Sequence, residues 1–370
     1  MDVASRDLAA CRALLRGGSR TFFAASLLLP AAVCRPASAL YAFCRLADDA
    51  VDLDPVSPIA AIDRLRDRLD RAYAGRPLQA AADRAFAATI AHFGIPRALP
   101  EALIEGFAWD AAGRQYETIA DLNAYGARVA GSVGAMMTLV MGRDSPEVVA
   151  RACELGMAMQ LSNIARDVGE DANAGRLYLP REWLREVGID AQAWLAHPVF
   201  TPALGVVVRR VLDEADRLYA RSGAGIGALP RLCRPGIRAA RFLYAEIGQQ
   251  VGRSGFDSVS RRAVVPPLRK ARVLVRSLLA RDNVLREAPQ MIQAEARFLI
   301  DAVSSRTVVG SSPPAGGRIA WLVDLFERLE RLDRLRLNPA PADVGHRSRP
   351  FRGRFSQPSR PAGRLRKLEC

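Results

Sequence analysis

The sequence predicts an all-α protein, and three observations carry the prediction. Apolar residues recur at spacings of three and four through nearly every long segment. Ala, Leu and Arg dominate while β-branched runs stay short, and no apolar–polar alternation lasts long enough to build a sheet. Half of the 370 residues are apolar and only 6% are aromatic, so a large core is available from aliphatic side chains.

Taken in order, the first segment with helical periodicity covers 36–52. Residues 59–73 place Ile62, Leu65, Leu69 and Tyr73 on one face and charges on the other. Comparable patterns predict helices over about 79–93, 100–116, 121–141, 145–169, 203–222, 235–253 and 263–283. Pro55 and Pro58, Gly75-Arg-Pro, Gly94-Ile-Pro and Gly142-Arg-Asp-Ser-Pro separate them, because Pro removes a backbone donor and Gly admits a turn. The glycines after Ser222 (Gly223, Gly225 and Gly227) follow a helix and lack dinucleotide-loop spacing, so they are read as a helix-ending turn. Short connections predict one helical domain over 1–285 without repeats. A C-terminal helical extension follows over 286–337, in which 318–335 carries Ile319, Leu322, Leu325, Phe326, Leu329 and Leu332 on one stripe. That stripe is read as a core-covering or dimer face in preference to a membrane-surface helix. From 338 to 370 Pro, Arg, Ser and Gly dominate, which predicts a basic, disordered tail.

Charge and rare residues exclude several functions. Lys and Arg number 53 against 39 Asp and Glu, for a net charge of +14, of which the tail supplies +6. Lys270 and Lys367 are the only lysines, and neither stands in a Walker phosphate loop. His92, His197 and His346 are scattered, so neither a His-rich metal site nor HExxH chemistry is available. The six cysteines form no C-x-x-C pair and fit buried thiols of a reducing compartment. The longest weakly polar run, Phe22 to Cys34, has 13 residues and contains Pro30. A spanning helix needs about 20 apolar residues, so the expected location is cytoplasmic, with peripheral contact on the inner face of the cell membrane left open. The excess charge would suit nucleic acid, but aromatics are few, no recognition motif is present, and outside the tail the charge is spread over amphipathic helices.

One pattern occurs twice. Asp48 and Asp52 stand at i and i+4 inside one helical segment, and Asp167 and Asp171 do so at the end of another. Such pairs share a helix face and repel by a few tenths of a kcal/mol when unpaired. Each follows apolar residues: Leu40, Tyr41 and Phe43 before the first, Met157, Met159, Leu161 and Ile164 before the second. Each also has a neighbouring Arg (Arg45, Arg166), and Gln160, Asn163 and Asp167 share a face. A single D-x-x-x-D is commonly a solvated face; two with these neighbours point to carboxylates that need cations. Oxygen ligands without His or Cys suit Mg²⁺, with Mn²⁺ as the alternative, bridging to substrate phosphates. Two such faces in an all-α domain suggest ionisation of a diphosphate above a cavity that guides a carbocation.

At these residues the chain resembles the squalene/phytoene synthase family. Ser19-Arg20-Thr21-Phe22 with Leu29-Pro30, Tyr41 to Asp52, Tyr125 to Gly134, and Gln160 to Asp171 followed by Gly175-Arg-Leu-Tyr-Leu-Pro180 are similar to its motifs, with Gly126 where Cys is usual. The resemblance covers roughly 12–285 and is strongest to bacterial members that make phytoene. It implies a single isoprenoid-synthase bundle around a central cavity. The implied reaction joins two geranylgeranyl diphosphates head to head through prephytoene diphosphate to phytoene, without NADPH. A C30 route from farnesyl diphosphate to squalene, dehydrosqualene or hydroxysqualene is the alternative within the family. The small Ser26 and Ser38 on the early helices favour the longer substrate. A non-catalytic relative acting in assembly is a further class, against which all four aspartates stand.

By the same resemblance Asp48, Asp52, Asp167 and Asp171 hold the metal with Asn163, supported by Gln160. Ser19, Arg20, Thr21, Tyr41, Arg45 and Arg166 would contact substrate, and Tyr125 would assist proton removal or stabilise a cation. Tyr244 and Arg262 match a later diphosphate-contacting pair, for which Arg261 could substitute for Arg262. The implied partners are geranylgeranyl diphosphate, a membrane surface and a downstream phytoene desaturase, with no nucleic acid. Simpler readings stand beside these: Ser19 or Thr21 as a helix cap, Tyr41 and Tyr125 as core residues, Gly131 and Gly134 as sites of close helix approach.

Overall fold

Long Ala- and Leu-rich stretches bounded by Gly and Pro close their backbone hydrogen bonds locally, and the chain is built accordingly. The computed structural model describes residues 3–52, 58–280 and 291–306, with only the backbone for Arg20 and for residues 48–52 and 58. Among these residues there are helices and no strand. They are α1 (Val3–Gly18), α2 (Arg20–Ser26), α3 (Ala31–Asp52), α4 (Pro58–Tyr73), α5 (Ala81–Phe93), α6 (Ala98–Ala111), α7 (Ile119–Gly126) and α8 (Ser132–Val140). After them come α9 (Pro146–Asn173), α10 (Arg181–Glu186), α11 (Ala191–Ala196), α12 (Pro202–Ile226), α13 (Arg234–Arg253), α14 (Pro267–Leu279) and α15 (Arg297–Ser304). A π-helical turn, Ala127–Gly131, joins α7 to α8. All of these residues belong to one compact unit.

The 28-residue α9 is the central element, buried along nearly its whole length and packed by α7, α8, α12, α13 and α15. A second group forms where α1, α3 and α5 meet through small residues, with Cys11, Ala39, Ala42, Ala82 and Ala85 in its interior. The two groups are joined through α8, which α3 and α9 both contact. Side chains as small as Ala let helix axes approach closely, and at the α8–α9 crossing even Ala is too large. A Cβ on Gly134 would come within 2.3 Å of the Ala152 carbonyl oxygen, and one on Gly156 within 2.2 Å of the Ala130 carbonyl oxygen. The close-approach reading therefore holds for Gly134. At Gly131 a Cβ would meet only ordinary contacts at 3.4 Å and beyond.

Several boundaries differ from the sequence expectation. Helix α3 starts at Ala31 and carries Pro36 inside it, where Pro forfeits one backbone bond, so a Pro read as a helix start is an internal residue. Helix α6 ends at Ala111 instead of 116 because Gly113 takes the left-handed conformation (φ 63°) and turns the chain. Helix α9 runs on to Asn173, which keeps Asp171 helical. Helix α12 continues through Gly223 and Gly225 to Ile226, in place of a turn after Ser222. Helix α14 occupies 267–279, starting four residues after the expected 263, and residues 281–283 of the expected helix lie outside the described residues. Helices α1, α10 and α11 were not expected, whereas α2 agrees with the cap reading of Ser19 and the helical placing of Ser26. Helix α15 falls in the extension expected to be helical, and the amphipathic stretch 318–335 and the tail lie outside the described residues. Cys11, Cys34, Cys44, Cys153 and Cys233 are buried free thiols. No helix among the described residues is long and apolar enough to cross a membrane.

The crossing makes a direct prediction. Gly156→Ala should destabilise the fold by about 2–3 kcal/mol, through overpacking against rigid backbone. Gly17→Ala, where a Cβ meets nothing within 4 Å, should leave the thermal midpoint unchanged or raise it. Calorimetric or circular-dichroism melting of both variants is the check.

Candidate active site

One face of α9 changes character along its length. Ala152, Gly156 and Met159 line an apolar cleft, walled also by Phe22 and Ser26 from α2, Met137 from α8, Ile226 from α12 and Ala240 from α13. The wall hydroxyls are turned to their own helices: Ser26 donates to the Phe23 carbonyl at 2.7 Å, Thr138 to Ala135 at 2.6 Å and Ser222 to Tyr219 at 3.0 Å. A ligand in the cleft therefore meets hydrocarbon. Of the two early serines, Ser26 lines the cleft; Ser38 is buried elsewhere in α3 and donates to the Cys34 carbonyl at 2.8 Å.

Continuing the same spacing, Asn163 follows Met159 by one turn, then Asp167 and Asp171. All are buried, as are Gln160 and Arg166. Both amide atoms of Asn163 and Oε1 of Gln160 lack a hydrogen-bond partner. Asp167 is gripped from two sides: Arg166 donates to its two oxygens at 2.8 and 2.6 Å, and Arg262 at 2.7 and 3.3 Å. Burial alone would raise the Asp167 pKa, but the hydrogen bonds and charges of the two guanidinium groups outweigh it and hold the carboxyl below its ordinary value. Arg262 also lies 3.4 Å from Glu170.

Arg262 reaches Asp167 because the loop after α13 is fastened to α9. The Gly169 amide donates to the Ser258 carbonyl at 3.0 Å, and a Cβ on Gly169 would come within 2.5 Å of the Val259 carbonyl oxygen. Asp257 accepts from the amides of Val259 and Ser260 at 3.1 and 2.9 Å, tightening the turn that precedes Arg262. Arg261, the alternative in the sequence, is exposed.

A phenol cluster borders the polar end. Thr118 and Asp121 form a reciprocal capping box at the start of α7, and α7 presents Tyr125 near its end. Tyr125 donates to Asp110 Oδ2 at 2.7 Å and Tyr178 to Asp110 Oδ1 at 2.6 Å, while Tyr116 packs against both rings. Burial, then the charge of Asp110, raises the Tyr125 pKa well above the ordinary phenol value, and Asp171 adds to the rise. Asp110 and Tyr116 were not singled out from the sequence. The partners of Asp110, Tyr125 and Tyr178, lie 15 and 68 residues away and stand in quoted motifs, but Asp110 and Tyr116 stand in none.

The early helices hold the remaining candidates. Ser19 is the N-cap of α2, accepting from the Phe22 amide at 3.1 Å, so the capping role is real. Thr21 is buried, and Tyr41 stacks on Phe22 with centroids 5.8 Å apart. Arg45 is half-buried one turn after Tyr41. Asp48 and Asp52 lie on the last two turns of α3, and their side chains are outside the described residues, as is that of Arg20. Tyr244 is fully buried on α13, one turn beyond the cleft-lining Ala240.

Among the described residues no three carboxylate, His or Cys side chains converge as a metal site. The donor chemistry at Gln160, Asn163, Asp167 and Asp171 nonetheless fits a hard divalent cation: oxygens only, with a buried amide oxygen at Asn163 and another at Gln160 whose hydrogen-bonding capacity is unmet.

An all-α bundle with an apolar cleft leading to buried acid, amide and Arg groups defines a class of proteins that bind a molecule with a long hydrocarbon chain and an anionic head. The sequence matches the squalene/phytoene synthase family over residues 15–270, and the chain belongs to that family. Similar curated proteins include the phytoene synthase of Cereibacter sphaeroides, 48% identical over 90% of this chain and 96% of that protein. The phytoene synthase of Rhodobacter capsulatus is 50% identical over 83% of this chain and 92% of that protein. Among solved structures, a dehydrosqualene synthase in complex with ligand shares 30% identity with a TM-score of 0.69, covering 75% of this chain and 96% of that one. The squalene synthase of Alicyclobacillus acidocaldarius shares 26% with a TM-score of 0.63, covering 68% and 95%.

The raised Tyr125 pKa fixes a sign. A phenol raised in the folded state stabilises the fold fully below its unfolded value of about 10, and that contribution drains as pH climbs above it. Subtracting the alkaline titration of Tyr125→Phe from that of wild type should show no Tyr125 phenolate until the helical signal is lost. Ionisation near pH 10 in the native protein would contradict the burial.

Proposed function

We propose that the chain is a phytoene synthase, joining two geranylgeranyl diphosphates head to head through prephytoene diphosphate to phytoene and two diphosphates. The observation that carries this is the single face of α9, apolar along the cleft and then occupied by Asn163, Asp167 and Asp171. Relatives near half identity across most of the chain are phytoene synthases, while the C30 enzymes among the solved structures share 30% or less. That difference favours the C20 substrate over farnesyl diphosphate.

In this reading Asp48, Asp52, Asp167 and Asp171, with Asn163 and Gln160 in support, hold divalent cations, Mg²⁺ in the first instance and Mn²⁺ as the alternative. Bound there, the cation neutralises the diphosphate and eases its departure as a leaving group. Arg166 and Arg262 supply planar donor forks suited to bidentate phosphate contact, and their grip on Asp167 keeps them oriented beforehand. Ser19, Arg20, Thr21, Tyr41, Arg45 and Tyr244 complete the substrate contacts. The apolar cleft excludes water from the prenyl chains, which protects a carbocation from capture.

The last step removes a proton. Tyr125 has its hydroxyl hydrogen committed to Asp110, which leaves the oxygen lone pairs and the ring face for the cation. As a strongly protonated phenol it acts through orientation, with Asp110 the group able to take up a proton behind it. NADPH has no part in this proton-losing route. The hydrocarbon product has a membrane as its destination and a phytoene desaturase as its consumer, and nucleic acid is no partner.

The test is incubation with geranylgeranyl or farnesyl diphosphate and Mg²⁺, with products identified by mass. Phytoene from the C20 substrate is expected, unchanged by NADPH and abolished by a chelator. A C30 hydrocarbon as main product, or an NADPH-dependent product, would overturn the reading. Asp167→Asn and Asp48→Asn should each cost at least about a hundredfold in turnover at unchanged helicity. Tyr125→Phe should cost about a hundredfold.

A further inference from the structure

Helix α14 is amphipathic with its apolar side outward. Val273 and Ser277 face the bundle, where α14 packs on α13, and Arg269 is tied to Glu246 at 2.7 Å. The opposite side presents Leu268, Val275 and Leu279 at 65%, 55% and 77% exposure, with Leu278 beside them and Val264 just before the helix. Positions 268, 275 and 279 fall at i, i+7 and i+11, so they form one stripe and are not scattered residues. Scattered exposed aliphatics need no explanation; a contiguous apolar stripe calls for a partner. Among the described residues nothing packs on it.

The surrounding charge selects the partner. From Ser258 to Ala280 there is no acidic residue, while Arg272 and Arg276 lie beside the stripe on the exposed side of α14. A second copy docking through the same face would bring these like charges together, which disfavours a two-fold dimer here. An anionic lipid surface presents the complementary sign and an apolar interior at the required depth. We propose that the outward face of α14 docks the protein on an anionic bilayer, with Leu268, Val275 and Leu279 entering the acyl boundary and Arg272 and Arg276 meeting the headgroups. The purpose rests on the proposed hydrocarbon product. Helix α13 lines the cleft through Gly236, Ile237 and Ala240 and packs on α14, so one helix links the proposed docking element to the hydrocarbon pocket.

The test is flotation of the full chain with vesicles of phosphatidylcholine containing phosphatidylglycerol, and with phosphatidylcholine alone. Wild type should float with the anionic vesicles and much less with the neutral ones. The triple variant Leu268→Ser, Val275→Ser, Leu279→Ser should lose tenfold or more in partitioning, and Arg272→Glu should lose tenfold or more, each basic residue beside an anionic surface contributing about fivefold. Because these positions are exposed, helicity and melting should match wild type. Turnover measured in detergent without vesicles should also match, which separates failure of the docking proposal from failure of the catalytic reading. Vesicle binding retained by the triple variant would overturn the proposal by placing the contact elsewhere, such as the basic tail. So would a lipid-free change from dimer to monomer in sedimentation, which would assign the stripe to a second copy.

Discussion

A carboxylate buried on the helix that lines an apolar cleft has to be compensated, and the arrangement around Asp167 follows from that requirement. Arg166 comes with the same helix, but Arg262 has to be delivered from a loop nearly a hundred residues later in the chain. The delivery depends on Gly169, whose missing side chain lets the Ser258–Val259 backbone lie directly on α9. Unpaired, a charge so placed would shift its pKa and neutralise; doubly paired, the carboxyl is held below its ordinary value. The clamp thus keeps two guanidinium groups and one carboxylate together two turns along α9 from the cleft-lining Met159.

The same helix must serve the pocket. Over its first turns α9 gives up side-chain volume at Ala152 and Gly156, so that α8 can close against it, and carries Met159 into the cleft. Beyond Met159 the face turns polar without becoming exposed. The amide of Asn163 is left without partners there, at a cost of about 1–3 kcal/mol per buried unsatisfied group. Such a cost is tolerable where a ligand repays it on binding. The phenol cluster on Asp110 shows the opposite economy: its carboxylate accepts from two tyrosines, and the rings around it are held rigidly.

Much of this was legible in the amino-acid order because helical periodicity and i, i+4 chemistry are local. The segments ending at Asp52 and continuing past Asp167 and the grouping of Gln160, Asn163 and Asp167 follow from spacing alone, whereas close approach was one reading of both Gly131 and Gly134 and holds only at Gly134. What was not legible depends on distant partners. Asp110 has no motif of its own and gains meaning only from Tyr125 and Tyr178 across the bundle. The choice between Arg261 and Arg262 turns on the loop's geometry, which nothing in the local sequence expresses. Short helices such as α10 and α11 carry too few turns for periodicity to register, and α1 has its buried residues Asp7, Cys11 and Leu15 interleaved with charge. The outward stripe of α14 was visible as a periodic pattern, but only packing shows that its apolar side faces away from the core.

The central claim is that the polar end of α9 and the aspartates of α3 hold divalent cations against a diphosphate. Anomalous diffraction from crystals soaked with Mn²⁺ and a non-hydrolysable thio-diphosphate analogue of the C20 substrate tests it most directly. The account predicts Mn²⁺ peaks in bonding contact with both aspartate pairs and with Asn163, the diphosphate between them, and Arg262 turned onto the phosphate. Mn²⁺ bound elsewhere, or an analogue whose diphosphate leaves the α9 aspartates untouched, would contradict it.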